Sequence, residues 1–268
     1  MSHASHNGSE ARRPVVTGLS ALVVLLVAAT LGVAQRGAAV PGAPAEARAD
    51  VPNLESVADV SERKQRFFDF LRPIVAAENE RIQAQRERVL RLLATLETGA
   101  EIAPADARWL DEMAARYRVK AKDPLAQARR LARKVDVIPP ALAMAQAALE
   151  SAWGTSRFAR EANNLFGQWC FTPGCGLVPK RRPANARYEV EAFADAGASV
   201  RSYMHNLNSH PAYEPLREIR ARARRDGQRP TGAALAAGLY NYAAIGHKYV
   251  EHIRAVIRRN GLGDSQSG

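Results

Sequence analysis

The sequence predicts a mainly α-helical fold, and three observations support this prediction. Hydrophobic residues make up 47% of the 268 residues and charged residues 24%, and much of the apolar share is alanine, which favours helix over strand. Apolar residues recur at steps of three and four between Phe67 and Leu96, the period of an amphipathic helix. Pro139 and Pro140 are typical of a helix start, because proline is tolerated in the first turn. A chain of this length can bury one good core, so we expect one main domain.

The N-terminal part predicts a transmembrane anchor or a signal segment. Residues 15–34 carry no charge and follow Arg12 and Arg13; a stretch of this length can cross a bilayer. Residues 32–34 also offer a small-x-small site for a signal peptidase. By the positive-inside rule, residues 1–14 form a cytoplasmic N-terminus and everything after the segment is exported. A buried core helix is the alternative, which the terminal position and the lack of charge disfavour.

The next part of the chain predicts a linker and a helical arm. Low-complexity sequence rich in alanine and proline cannot bury enough surface to fold, whereas the helical pattern that follows it has a charged face that we interpret as solvated. Gly99 and Pro104 should end the first long helix, and shorter helices should follow at 105–118 and 124–134. The predicted organisation after the membrane segment is a linker at 35–52, a helical arm at 53–135, a main domain at 136–262 and a tail at 263–268.

The charge balance restricts the choice of partner without deciding it. The formal net charge of +11 suits nucleic acid, an anionic membrane surface or an acidic cell-wall polymer. The arginines are scattered through amphipathic helices with no nucleic-acid-binding signature, so we expect no nucleic-acid partner. A solvated basic surface is the simpler interpretation.

Cys170 and Cys175 are the only cysteines, and they flank a Pro-Gly turn. In an oxidising compartment such a pair predicts a small disulfide loop. A structural zinc site would need four donors, so we expect no metal. Two free thiols would fit only a cytosolic protein, which the N-terminal segment disfavours.

Glu150 is the only charged residue between Val137 and Ser156. Its helical face carries Gln146 and small apolar residues, so desolvation should favour the neutral acid. A neutral carboxylic acid is what a glycosidase needs to protonate the leaving oxygen. A buried glutamate can equally be structural, bonded to loop amides.

Wider motifs decide between these interpretations of Glu150. The motif E-S-A-W-G-T-S-R-F-A from Glu150, N-N-L-F-G from Asn163, N-L-N-S-H-P-A-Y from Asn206 and G-H-K-Y-V from Gly246 occur in that order. The ordered series resembles glycoside hydrolase family 73, the bacterial glucosaminidase family, and within it the Bax-type branch, strongly from Ile138 onward. The resemblance implies a lysozyme-like α-rich domain with a small β-hairpin lobe, expected around 176–193, and a groove for a glycan strand.

The resemblance also implies the site residues. Glu150 occupies the position of the general acid. A second catalytic carboxylate is expected on the lobe, where Glu189 is preferred over Glu191, and Tyr242 stands where the family has a tyrosine beside the groove. The side chains predicted to contact the substrate are Trp153, Asn164, Phe166, Trp169 and Tyr240. The alternative for Trp153 is that it packs behind the catalytic helix. Tyr249 lies on an apolar stripe that predicts a core position.

The predicted function is hydrolysis of the β-1,4 bond after N-acetylglucosamine in peptidoglycan, without metal or organic cofactor. The expected partners are peptidoglycan glycan strands and, through residues 15–34, the inner membrane. The protein should therefore lie in the cell envelope on the periplasmic side, anchored or secreted after cleavage. The alternatives are a muramidase or lytic transglycosylase acting on the same glycan, and a non-catalytic envelope glycan-binding protein. The sequence leaves the oligomeric state open.

Overall fold

The computed structural model describes residues 49–240, 242 and 246–263, and these form a mainly helical protein, as predicted. The helices are α1 (Val60–Glu97), α2 (Pro104–Arg116), α3 (Pro124–Lys134), α4 (Pro140–Glu150), α5 (Arg157–Ala162), α6 (Ala196–Ser209), α7 (Glu214–Arg225), α8 (Gly232–Leu235) and α9 (His247–Arg259). Short 3-10 helices cover Pro211–Tyr213 and Ala236–Leu239. The helices predicted at 105–118 and 124–134 and the helix start predicted at Pro139 and Pro140 are confirmed, and Pro104, Pro124 and Pro140 each stand at the first helical position. Pro104, which was predicted to end the preceding helix, therefore begins the next one.

The predicted membrane segment, residues 15–34, lies outside the described residues. Within the part of the chain that the structure describes, no helix combines the length and the hydropathy that crossing a bilayer requires.

The long helix α1 packs on the rest of the protein and does not form a separate arm. It begins after Asp59, whose side chain accepts a hydrogen bond from the Glu62 amide, and it ends before Gly99, whose φ of +78° suits glycine. Along its length α1 contacts α3, α4 and α6. The prediction of an arm is corrected because Phe67 and Phe68 are both buried in one core, so more than a narrow stripe of the helix is covered.

One hydrophobic core joins the two ends of the described chain. It includes Phe67 of α1, Leu131 of α3, Met144 of α4, Val200 of α6 and Ile253 of α9. The core therefore continues across residue 135, where the sequence predicted a boundary between the arm and the main domain.

The segment that leads into α4 is held by a buried carboxylate. Asp136 is only 2% exposed, and its oxygens lie 2.9 Å from Arg224, 3.4 Å from Arg86 and 3.6 Å from Arg220. A buried carboxylate needs such partners to offset its lost hydration. The three arginines come from α1 and α7, so these helices together fix the approach to α4.

The charged face of α1 also holds α4, which corrects its interpretation as a solvated surface. Glu78 is 5% exposed and forms ion pairs with Arg81 and with Arg201 of α6. The side-chain amide of Asn79 donates to the Ile138 carbonyl at 2.8 Å and accepts from the Ile138 amide at 3.0 Å. The start of α4 is thereby fixed to α1 by hydrogen bonds as well as by packing.

The small β lobe is a three-stranded antiparallel sheet. Strands β1 (Trp169–Cys170) and β2 (Gly176–Leu177) both pair with the central strand β3 (Glu189–Glu191). The predicted hairpin is present, and β1 is added to it. Gly176 is required at this point, since a Cβ there would lie 1.9 Å from the Val190 carbonyl oxygen.

Candidate active site

Glu150 is the last residue of α4. The helix before it is buried on nearly every side, because its small alanine side chains let neighbouring helices approach closely. Glu150 itself is half-buried, and burial raises the pKa of its carboxyl to about 7. The carboxyl is therefore largely protonated in mildly acidic solution and about half protonated at neutral pH.

Tyr249 of α9 contacts this carboxyl directly. Its hydroxyl donates a hydrogen bond of 2.6 Å to Oε1 of Glu150, which lowers the pKa of Glu150 and so limits the effect of burial. The sequence predicted a core position for Tyr249. Its ring is indeed buried, and its polar end meets the candidate acid.

Tyr242, the tyrosine chosen from the sequence, lies one layer behind Tyr249. The two rings are stacked at 5.3 Å with an interplanar angle of 5°. The hydroxyl of Tyr242 donates to the Phe166 carbonyl at 3.1 Å, and the ring of Tyr213 lies 6.0 Å from that of Tyr242. Tyr242 thus supports the ring of Tyr249, while its own hydroxyl is bonded to backbone.

The turn after Glu150 has left-handed backbone. Ala152, Trp153 and Gly154 have φ values of 51°, 60° and 75°, which cost energy for the two residues that carry a Cβ. Ser151 closes the turn, because its hydroxyl accepts from the Gly154 amide at 2.8 Å and donates to the Ala147 carbonyl at 2.6 Å.

Trp153 packs between this turn and α1. Its ring meets Phe67 and Phe68 edge-on at 6.2 and 5.3 Å, and the ammonium group of Lys64 lies 4.8 Å from its centroid. This placement matches the alternative in which Trp153 lies behind the catalytic helix. Contact with substrate stays a prediction for this residue.

Asn164 and Phe166 are too buried to contact a glycan directly, which corrects that prediction. Phe166 is 0% exposed and stacks on Tyr203 at 3.8 Å. Asn164 is 1% exposed, and its amide donates to the carbonyls of Gln168 and Glu191. Asn164 therefore joins the β lobe to the helical core, and Phe166 packs on Tyr203 within that core.

Trp169 and Tyr240 keep surface that a sugar ring could reach. Trp169 is half-buried on β1 and stacks on Tyr188 at 4.0 Å with nearly parallel planes. Tyr240 is 40% exposed and lies 6.4 Å from the ring of His247. The sequence did not single out Tyr188, which extends the flat aromatic surface of Trp169.

Glu189, the predicted second carboxylate, anchors the disulfide loop. Cys170 and Cys175 form the predicted disulfide. Inside the loop, Oε1 of Glu189 accepts from the Gly174 amide at 3.1 Å, and Oε2 accepts from the Gly176 amide at 2.9 Å. These two bonds lower the pKa of Glu189. Both oxygens are engaged, so a catalytic role for Glu189 would require the loop to release it.

Glu191, two residues further along β3, has a different environment. It is half-buried, and burial raises the pKa of its carboxyl. Its backbone is paired with Gln168 and Asn164, while its carboxylate has no hydrogen-bond partner among the described residues. Of the two lobe glutamates, Glu191 is the one with a free carboxyl group.

Among the described residues, the donors with metal-ligand spacing are Cys170, Cys175 and Glu189. The disulfide consumes both sulfur atoms and the loop amides occupy Glu189, so this cluster does not fit a metal site. A surface cavity of about 920 Å³ lies between α1 and residues 227–230. It borders Pro140, at the opposite end of α4 from Glu150.

An α-rich protein that has a small antiparallel lobe and a partly protonated glutamic acid at a helix end fits the glycoside hydrolases. The chain belongs to the glucosaminidase family, since residues 125–262 match the family model described as mannosyl-glycoprotein endo-beta-N-acetylglucosaminidase. It is also 31% identical over 212 residues to Protein bax of Escherichia coli (strain K12), which covers 78% of this chain and 74% of that protein. It is therefore a Bax-type glucosaminidase-domain protein. No solved structure matches the chain.

Proposed function

We propose that this protein hydrolyses the β-1,4 bond after N-acetylglucosamine in peptidoglycan, with Glu150 as the general acid. The observation that carries the proposal is the state of one side chain. Glu150 is half-buried, its pKa is raised to about 7 by burial, and it lies in a domain of the glucosaminidase family. Such a group holds a proton at neutral pH and can transfer it to the leaving glycosidic oxygen.

The position of the proton follows from the hydrogen bonds. Tyr249 donates to Oε1 of Glu150, so the acidic proton belongs on Oε2, which has no hydrogen-bond partner in the described part of the chain. A hydroxyl has one proton to donate, and that of Tyr249 is already committed to Oε1. Oε2 is therefore the oxygen that would face the glycan.

Hydrolysis also needs a group that activates water or stabilises the sugar cation. We propose Glu191 for this role in place of Glu189, because Glu191 keeps a free carboxyl on the same strand whereas both oxygens of Glu189 bind backbone amides. The flat pair of Trp169 and Tyr188 offers a stacking surface on the same lobe. We propose that the glycan strand binds in a lysozyme-like groove between this lobe and the helices.

We further propose that the protein acts on the periplasmic side of the inner membrane, held by residues 15–34 or released after cleavage. The disulfide between Cys170 and Cys175 supports export, because such bonds persist in oxidising compartments. This placement is tested by treating cells with a membrane-impermeant reagent that labels lysine, with and without opening the outer membrane. Labelling of this protein once the outer membrane is open, with the inner membrane intact, would support it. Labelling only after the inner membrane is broken would contradict it.

The test of the reaction is digestion of purified peptidoglycan by the full chain, with mass spectrometry of the new reducing ends. N-acetylglucosamine at the reducing ends supports the proposal. Reducing N-acetylmuramic acid would indicate a muramidase, and anhydro ends a lytic transglycosylase. Binding without any product would indicate a glycan-binding protein.

Glu150→Gln is the matched control for this digestion. The glutamine keeps an acceptor for the Tyr249 hydroxyl and removes only the acidic proton. We expect product formation by this variant to fall by about 10² to 10⁴-fold, while its circular dichroism remains that of the native protein. Full activity in Glu150→Gln would reject Glu150 as the acid, whatever bond is cut.

A further inference from the structure

A chain of buried hydrogen bonds reaches Glu150 from behind. The hydroxyl of Tyr203 on α6 donates to Oε1 of Gln146 at 2.6 Å. The side-chain amide of Gln146, one turn before the acid on α4, donates to the hydroxyl oxygen of Tyr249 at 2.9 Å. Tyr249 in turn donates to Glu150 at 2.6 Å. The chain thus links α6, α4 and α9 and ends on the candidate acid.

The direction of this chain is fixed by counting protons. Each tyrosine hydroxyl has one proton, whereas a glutamine amide offers an acceptor at one end and donors at the other. Because Gln146 donates to the oxygen of Tyr249, the single proton of Tyr249 must point to Glu150. The Tyr203 hydroxyl donates to the amide oxygen of Gln146. This bond holds the amide in the orientation in which its nitrogen donates to Tyr249.

We propose that Gln146 and Tyr203 are positioning residues that act on Glu150 through Tyr249. They direct the Tyr249 proton onto Oε1 and so reserve Oε2 for the proton that goes to the glycan. This inference rests on the proposed function only for its catalytic meaning, because the hydrogen bonds exist whatever glycan is cut. Both side chains are buried, so we expect neither to touch the substrate.

The position of Gln146 argues for this role over simple packing. It is fully buried, and α4 is otherwise lined with alanine, leucine and methionine at its buried positions. A long apolar side chain would fill the same space without the cost of burying an amide. We therefore infer that the amide is present because its oxygen accepts from Tyr203 and its nitrogen donates to Tyr249.

The variant that tests the chain is Gln146→Met, which keeps the length of the side chain and removes both hydrogen bonds. Without its donor, Tyr249 is no longer polarised or held toward Glu150, so its hydrogen bond to the carboxylate weakens. We expect the alkaline limb of the pH-rate profile to move up by about half a pH unit, and Tyr249→Phe to move it by about one unit.

A double variant separates action through Tyr249 from a general loss of packing. In the Tyr249→Phe background, Gln146→Met should move the alkaline limb no further, because the group through which it acts is gone. An equal further shift in that background would overturn the proposal. So would a native limb in folded Gln146→Met.

The protein offers a matched control pair away from the candidate active site. The hydroxyl of Tyr117 donates to Oε1 of Gln85 at 3.1 Å, which is another buried tyrosine bonded to a glutamine. Gln85→Met and Tyr117→Phe should leave the alkaline limb unchanged. If Gln146→Met does not fold, Tyr203→Phe removes one oxygen atom and should give a smaller shift in the same direction; no shift in that variant would count against the proposal.

A readout without turnover keeps this test independent of the proposed reaction. Carbon-13 carboxyl NMR, with the Glu150 signal assigned through Glu150→Gln, follows the titration of the acid directly. Upward shifts in Gln146→Met and Tyr249→Phe would support the hydrogen-bond chain even if the peptidoglycan digestion gave no product. An unchanged titration would refute the chain while leaving the enzyme assignment standing.

Discussion

Glu150 and Glu189 are both shielded from water, yet their carboxyl groups have opposite pKa shifts. Glu150 receives one hydrogen bond, from the Tyr249 hydroxyl, and burial raises its pKa to about 7. Glu189 receives a backbone amide on each oxygen, and its pKa is lowered. The dominant influence on the pKa differs between them: it is burial for Glu150 and the backbone amide donors for Glu189. One environment suits proton transfer, and the other suits a fixed anchor.

Substituting the two glutamates with glutamine tests this contrast most directly. Glu150→Gln should reduce peptidoglycan hydrolysis by about 10² to 10⁴-fold, the usual contribution of a general acid. Glu189→Gln should retain much of the activity at low temperature, because it weakens the hydrogen bonds to the loop amides of Gly174 and Gly176 and leaves the acid unchanged. A loss in Glu189→Gln as large as in Glu150→Gln, with the fold intact, would restore Glu189 as a catalytic carboxylate.

Stability should also depend on pH in opposite directions for the two groups. The folded protein holds a proton on Glu150 between the ordinary pKa of 4.5 and about 7. Stability from this group is therefore present below pH 4.5 and lost as the pH rises through 7, by on the order of 3 kcal/mol. Urea unfolding at several pH values should show that Glu150→Gln removes this loss. For Glu189, whose pKa is lowered, stability is instead lost as the pH falls below the ordinary range.

The rate of hydrolysis should follow the protonation of Glu150. With a pKa of about 7, activity should be high in mildly acidic solution and fall about tenfold per pH unit well above neutrality. Initial rates of clearing of a peptidoglycan suspension, measured at constant ionic strength, give this profile. An alkaline limb near pH 4.5 would mean that the acid is exposed to water and that the burial argument fails.

Opening the disulfide should affect the anchor and leave the acid unchanged. The loop between Cys170 and Cys175 is short, with a separation of five residues, so its closure stabilises the fold by about 2 kcal/mol. Cys170→Ser combined with Cys175→Ser should lower the melting temperature by a few degrees. The alkaline limb of the rate profile should stay in place, and a moved limb would show that lobe and acid are coupled.

Much of the fold and the main candidate residue were predictable from the sequence. Pro140 marks a helix start through a local rule that needs no tertiary information. Glu150 stood out as the lone charge in an apolar helix, and the ordered motifs that resemble glycoside hydrolase family 73 favoured a catalytic over a structural glutamate. The disulfide followed from two cysteines around a turn.

The rest depends on contacts that sequence spacing does not contain. Tyr242 and Tyr249 both lie near Glu150, and only the packing of α9 decides which hydroxyl reaches it. One signal was available, since a tyrosine on an apolar stripe must find a partner for its hydroxyl, and Glu150 was the unpaired candidate. The anchoring of Glu189 depends on the amides of Gly174 and Gly176, and backbone donors leave no trace in side-chain patterns.

The left-handed turn after Glu150 limits how far the protein can be truncated from its N-terminal side. The family match begins at residue 125, downstream of α1, yet Gly154 lies so close to Leu54 and Phe67 that an added Cβ would approach both to 3.1 Å. A fragment trimmed to the matched region, or a chimera that contains only that region, would keep Glu150. It would lose Leu54 and Phe67, which pack against the turn and hold its costly backbone conformation. The smallest portable unit therefore starts ahead of Leu54.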